Sequence, residues 1–259
     1  MTLKSNSTWR LGTTSYIIPD HILPNLHFLK DKVDDVEIVL FESGEKSSIP
    51  DASQVREMQS LTADTGLTYT VHLPLDLSPG ARDESLRRTC AETWKRIAGL
   101  MQPVNPVGWV AHLNDPPQDK DSLAVWEEQC RKSLEELSRE IDPKLLCIEN
   151  LDYDHELIWP WVLEMGFSLC MDLGHLQVRG EDLSACLDRW LEHVRIIHLH
   201  ALNSEGRDHV GLQHMDKELL SGLLHAFDAK GHSPLVVTLE IFSSKHFQGS
   251  LEAIKEARQ

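Results

Sequence analysis

Lys144-Leu145-Leu146-Cys147-Ile148-Glu149-Asn150 and, further on, Phe167-Ser168-Leu169-Cys170-Met171-Asp172-Leu173-Gly174-His175 carry the pattern that decides the fold. Each is a short, almost continuous apolar run that closes on an acid. Such runs suit strands buried on both faces, as in a parallel sheet. The same reading holds outward along the chain at Trp9–Ile17, Val36–Glu42, Leu67–Leu73, Val107–Leu113, Val194–His200 and Leu235–Ile241. Between these runs the apolar spacing turns helical, most clearly over Arg82–Leu100, Ser122–Ile141, Asp182–Val194 and Asp216–Ala229. Pro143 reads as the stop of the second of these helices, and Gly231 as the stop before the last strand. Eight strands alternating with helices over 259 residues predict an α/β protein, a (β/α)8 TIM barrel spanning 1–259 as a single domain. An open doubly wound sheet is the alternative, but that fold wants a Gly-rich first turn, and none follows the first strand.

Composition narrows the partners. Lys and Arg number 25 against 41 Asp and Glu, for a formal net charge of −16. A protein that grips a long phosphate backbone usually carries positive charge, so neither nucleic acid nor an anionic membrane surface is expected as a partner. The five cysteines, Cys90, Cys130, Cys147, Cys170 and Cys186, include no CxxC pair and read as packed thiols. The start, MTLKSNSTWR, has no apolar signal-peptide core, and no run approaches a membrane span. A cytoplasmic protein is expected; its oligomeric state is not indicated.

The strand ends carry the chemistry. Glu42, His72, His112, Glu149, Asp172 with His175, His198 with His200, and Glu240 stand at or just after successive apolar runs, and Arg207-Asp208-His209 follows the seventh. In a barrel these ends converge on one face. Ionisable groups buried together are costly unless paired or bound to metal. His, Asp and Glu without Cys suit zinc, manganese or iron. His21, His27, His155, His193, His214, His225, His232 and His246 fall on helices or loops and read as surface or structural.

One divalent ion takes about four to six ligands. Glu149, Asp172, one strand-seven His and Glu240 would fill one site, as in a sugar isomerase or epimerase with Glu149 and Glu240 moving a proton. That leaves His72, His112, His175 and His209 unused. A second ion, or a third, accounts for them. Two ions roughly 3.5–4 Å apart are the usual device for phosphoester hydrolysis.

The series His72-Leu73-Pro74, His112-Leu113-Asn114, Ile148-Glu149-Asn150, Met171-Asp172-Leu173-Gly174-His175, His198-Leu199-His200, Arg207-Asp208-His209 and Leu239-Glu240-Ile241 resembles the xylose-isomerase-like barrel superfamily. Within it the full His set is similar to the endonuclease-IV-type branch, the apurinic endonuclease family 2. The resemblance implies His72, His112, Glu149, Asp172, His175, His198 or His200, His209 and Glu240 as ligands of two or three divalent ions, zinc first, manganese or iron as alternatives. The branch usually has Asp two residues before the loop His; here that position is Arg207, and Asp208 is adjacent instead. The segments Leu11–Asn25, Asp34–Ser43 and Tyr69–Leu77 further resemble the cobamide-remodelling phosphodiesterases of the CbiR type. That resemblance implies hydrolysis of the nucleotide-loop phosphodiester of a corrinoid, giving cobinamide phosphate and the α-riboside of the lower base. Tyr16, Tyr153, Trp159, Trp161 and Phe242 could line a pocket for the corrinoid, with Glu42 and Asp208 close by, and Arg179 and Arg207 could steady its phosphate. The alternatives are a single-metal sugar isomerase or epimerase and an endonuclease-IV-type DNA repair enzyme.

Overall fold

The computed structural model describes residues 8–44, 49–230 and 234–259. Its strands are β1 (Arg10–Thr14), β2 (Asp35–Val39), β3 (Thr68–His72), β4 (Gly108–Ala111), β5 (Leu146–Glu149), β6 (Ser168–Asp172), β7 (Val194–Leu199) and β8 (Val236–Leu239). All pair in parallel, in chain order, and β8 closes on β1. The helices are α1 (Ile22–Leu29), α2 (Ala52–Thr65), α3 (Glu84–Met101), α4 (Lys120–Leu137), α5 (Trp159–Glu164), α6 (Leu173–Val178), α7 (Leu183–Trp190), α8 (Lys217–Ala229) and α9 (Ser244–Ala257). The molecule is therefore a (β/α)8 TIM barrel, as the alternating periods predict.

Local sequence sets the helix starts. Asp51, Asp83, Asp119, Asp182 and Asp216 each accept backbone N–H bonds at the head of α2, α3, α4, α7 and α8. An Asp cap satisfies donors that the helix itself leaves free. The helix ends follow the sequence less closely. The expected Ser122–Ile141 helix stops at Leu137, and Pro143 instead opens a short 3-10 turn into β5. Gly231 and His232 lie outside the described residues.

Alternation along each strand divides two cores. The larger packs helices against the outside of the barrel. Inside it, Val110, Cys147, Cys170, Ile196 and Val236 form a small apolar plug. Gly108 makes room for that plug, because a Cβ there would stand 2.8 Å from Ile196 Cδ1. All five cysteines are buried and free of disulfides. No helix among the described residues is long and apolar enough to cross a membrane.

The barrel interior is also acidic. Asp35 is fully buried and accepts from the Thr68 hydroxyl at 2.7 Å and the Thr70 hydroxyl at 2.8 Å. Burial raises its pKa to about 6, against the pull of those hydrogen bonds. The native state thus binds this proton more tightly than the unfolded chain, whose Asp titrates near 4. Stability falls as pH climbs through that interval and stays lower above it, by roughly 3 kcal/mol for a shift of this size. The advantage of Asp35→Asn over the wild type is expected to be about 1–2 kcal/mol larger at pH 8 than at pH 4.5. Urea denaturation of chelator-treated protein at both pH values measures this; an equal difference at the two would exclude the linkage.

Candidate metal centre

The strand ends bring the acids and histidines together at the C-terminal mouth of the barrel. Glu149 closes β5 and is 1% exposed. Its Oε2 lies 3.2 Å from His72 Nε2, at the end of β3, and 2.8 Å from His112 Nε2, just past β4. Its Oε1 lies 2.8 Å from His198 Nδ1 on β7. His198 Nδ1 is also 3.4 Å from Glu240 Oε2 and 4.0 Å from Asp172 Oδ2. His200, two residues on and on the same side of the chain, has Nε2 3.3 Å from Asp172. Both candidate histidines of the seventh strand therefore reach the centre, at different places.

Asp172 does two jobs. Its Oδ1 accepts from the backbone N of His175 at 2.7 Å, capping α6 and turning the His175 ring toward the cluster. His175 Nε2 stands 3.8 Å from Asp172, while its Nδ1 is held 3.0 Å from Asp152. Asn150 fixes the Asp172 backbone with a reciprocal pair of bonds, 2.8 and 2.9 Å. His209 comes from the loop after β7 with φ of 51°, a left-handed conformation uncommon for a residue with a side chain. There its backbone N donates to His200 Nδ1 at 3.0 Å, its ring stacks on His200 at 4.3 Å, and its Nε2 faces Glu240 at 3.4 Å.

Three sets of donors could each hold an ion: His72, His112 and Glu149; Glu149, Asp172, His198 and Glu240; and His200, His209 and Glu240. A further combination replaces two carboxylates with Cys170, beneath Glu149 and His198. Glu149 belongs to the first two sets and Glu240 to the last two. Glu240 Oε2 is buried and has no hydrogen-bond partner. A bare carboxylate oxygen facing histidine nitrogens is the environment a cation satisfies, and nitrogen with carboxylate oxygen fits zinc, manganese or iron. Residues and metal therefore match.

Protons stand in for positive charge at such a site. Burial opposes ionisation of Glu149, but the charges of His198 and His112 and their hydrogen bonds hold its carboxyl well below the usual range. Burial likewise opposes a charged His209, yet Glu240 and Asp208 outweigh it and raise its pKa to about 9. A metal ion bound at these groups would displace protons.

The remaining expected residues sort by position. Glu42 lies beyond the strand that it is expected to close: β2 ends at Val39, and Glu42 is exposed on the loop that follows. The acid that β2 delivers to the centre is Glu37, fully buried, with Oε2 3.0 Å from His198 Nε2. Period-two alternation with Asp35 was the available signal, since an inward acid sits within Asp35-Val36-Glu37-Ile38-Val39. Trp159 and Trp161 are also corrected, being buried against Trp190 and Arg131, respectively, and lining no mouth. Tyr153 donates its hydroxyl to the Leu113 carbonyl at 2.7 Å. Arg179 is tied to the Asp152 carbonyl and Glu181. Arg207 is exposed, its backbone closing a turn with Asn203. Asp208 lies 3.2 Å from His209 Nδ1 and belongs to none of the donor sets, so it steadies the ring from behind. Tyr16 is half-buried at the rim, with its ring 5.1 Å from Phe41.

Gly174 permits the His200 placement. A Cβ at this position would fall 1.9 Å from His200 Cε1, so the ring must move. Gly174→Ala is expected to cost about 1–3 kcal/mol of stability and to lower metal stoichiometry. Denaturation and elemental analysis test it; unchanged values for both would show that the ring adapts freely.

A family model described as the xylose isomerase-like TIM barrel matches residues 30–259. The chain belongs to this family. No curated protein matches it by sequence. Among solved structures it is similar to a D-tagatose 3-epimerase-like protein, at 15% identity and a TM-score of 0.76, covering 96% of this chain and 97% of that one. It is also similar to 3-keto-D-glucoside 4-epimerase from E. coli, at 17% identity and a TM-score of 0.72, covering 96% and 98%. Endonuclease IV from Thermus thermophilus aligns at 16% identity and a TM-score of 0.69, covering 96% and 98%. At these identities the likeness is one of fold.

Proposed function

We propose that the protein is a metal-dependent phosphodiesterase that hydrolyses the nucleotide-loop phosphodiester of cobamides. One observation carries the multinuclear part of this reading: the donor sets around Glu149, His198 and Glu240 overlap and exceed what a single ion uses. The corrinoid part rests on the sequence resemblance and on a net charge of −16, which suits a small substrate better than a nucleic acid.

When bound, two or three divalent ions would activate water and neutralise the phosphoryl and leaving oxygens. The chain supplies the frame. Glu149 directs one oxygen to His72 and His112 and the other to His198, so a single carboxylate ties two donor sets together. Glu240 ties the central set to His209. Asp172 and Asn150 hold the β6 end in place, so the donors keep their positions as charge changes. In the overall reaction a water oxygen joins phosphorus, the bond from phosphorus to the riboside oxygen breaks, and that oxygen leaves protonated. Cobinamide phosphate and the α-riboside are the products.

Metal-reconstituted protein incubated anaerobically with adenosylcobalamin is expected to yield cobinamide phosphate and α-ribazole, resolved by liquid chromatography with mass detection. Intact cobamide with at least two ions bound per chain would overturn the reading. A second reading has its own support. The set Glu149, Asp172, His198 and Glu240 is sufficient alone for one ion, and a single-metal sugar isomerase or epimerase would need no more. One ion per chain at saturation, with turnover of a keto sugar, would favour it.

A further inference from the structure

Beside the metal centre lies an aromatic shelf. Phe242, two residues beyond Glu240, has its ring 5.7 Å from that of His209. Phe41 follows at 5.9 Å from Phe242, and Tyr16 at 5.1 Å from Phe41. The three rings line a groove of about 630 Å³ together with Ile18, Pro19 and Asp20. Phe41 is 37% and Phe242 38% exposed, whereas most large apolar side chains of the barrel are buried. Exposed aromatic rings grouped at the edge of a polar centre are the usual sign of a ligand surface.

The chemistry of the groove narrows its occupant. No Lys or Arg is among the described residues that line it, and Asp20 is an acid. A phosphate chain running across the shelf would meet no countercharge. An uncharged flat ring would meet aromatic faces, against which heterocyclic bases stack favourably. The shelf begins at a ring beside a metal donor, so one ligand can span both.

We infer that Tyr16, Phe41 and Phe242 form the subsite for an uncharged heteroaromatic base, carried through its sugar on the phosphodiester whose phosphate lies at the donor sets. The inference rests on the phosphodiesterase reading and names the arm of the substrate that the shelf takes. Specificity among bases is then set by stacking area, by the tilt of the rings and by the polar side chains that share the lining, Asp20, Ser243 and Ser244.

The test uses zinc-reconstituted wild type and the Phe41→Ala/Phe242→Ala double variant, titrated calorimetrically with α-ribazole and, separately, with ribose 5-phosphate. Both side chains are partly exposed, so truncation leaves the core intact; circular dichroism and zinc content verify this. One stacked base is worth roughly 5- to 150-fold in affinity. The double variant is expected to bind α-ribazole at least tenfold more weakly, with zinc content and ribose 5-phosphate affinity unchanged. Affinity for α-ribazole within twofold of wild type, equal losses for both ligands, or no α-ribazole binding by wild type would each overturn the subsite. Phenylalanine-dependent binding of α-ribazole without cobamide turnover would instead uphold the shelf and remove the cobamide reading.

Discussion

On the proposed reading, Glu149→Ala is expected to reduce phosphodiester turnover at least about 10³-fold, as loss of a group that acts jointly with its neighbours does. Both carboxylate oxygens are engaged, Oε2 between His72 and His112 and Oε1 with His198. No other residue belongs to both the first and the central donor sets. Removing the carboxylate leaves three histidines without their shared anion, and metal content should fall by at least one ion per chain. The barrel should persist, because its strand pairing and its apolar layers do not pass through this side chain. Glu149→Gln separates shape from charge. It keeps one acceptor and the volume, and is expected to lose nearly as much activity. Turnover, elemental analysis and circular dichroism on the same samples decide the matter. A wild-type rate with full metal content in Glu149→Ala would refute the central role.

Glu37→Ala is expected to weaken metal binding about 10- to 100-fold, the cost typical of losing a carboxylate that orients a ligating histidine. Glu37 Oε2 lies 3.0 Å from His198 Nε2, which directs Nδ1 to Glu149. With Nε2 carrying the proton, the Nδ1 lone pair faces the central donor set. Alanine would leave a buried N–H without a partner and the ring free to turn. Glu37→Gln retains an acceptor oxygen and should recover most of the affinity. Competition with a chromophoric chelator measures both variants. Equal affinity in wild type and Glu37→Ala would show that packing alone orients His198.

Glu37 and Glu42 show how far the sequence could be read. Both acids lie in the same stretch, and the apolar run Val36–Phe41 does not say where pairing stops. The strand ends at Val39, so Glu42 falls outside the sheet while Glu37 points inward. Elsewhere the strands close near their titratable residues, and His72, Glu149 and Asp172 are each the last residue of theirs. The aromatic candidates divided on the same point. Trp159 and Trp161 follow β5 in the chain but turn back into the core on α5, whereas Phe242 stays at the mouth.

Periodicity and punctuation in the sequence determined the eight alternating strands, the Asp-headed helices and the convergence of His72, His112, Glu149, Asp172, His198, His200 and Glu240 on one end of a barrel. These follow from local rules, since side chains alternate along a strand and parallel strands share one direction. Only the closed barrel decided which groups touch. Glu37 meets His198 across 161 residues of chain, His209 takes a left-handed backbone to stack on His200, and Gly174 clears space for that ring. Those contacts depend on strand register and loop path, which are set by packing among segments distant in sequence and leave no mark at the spacing of neighbouring residues.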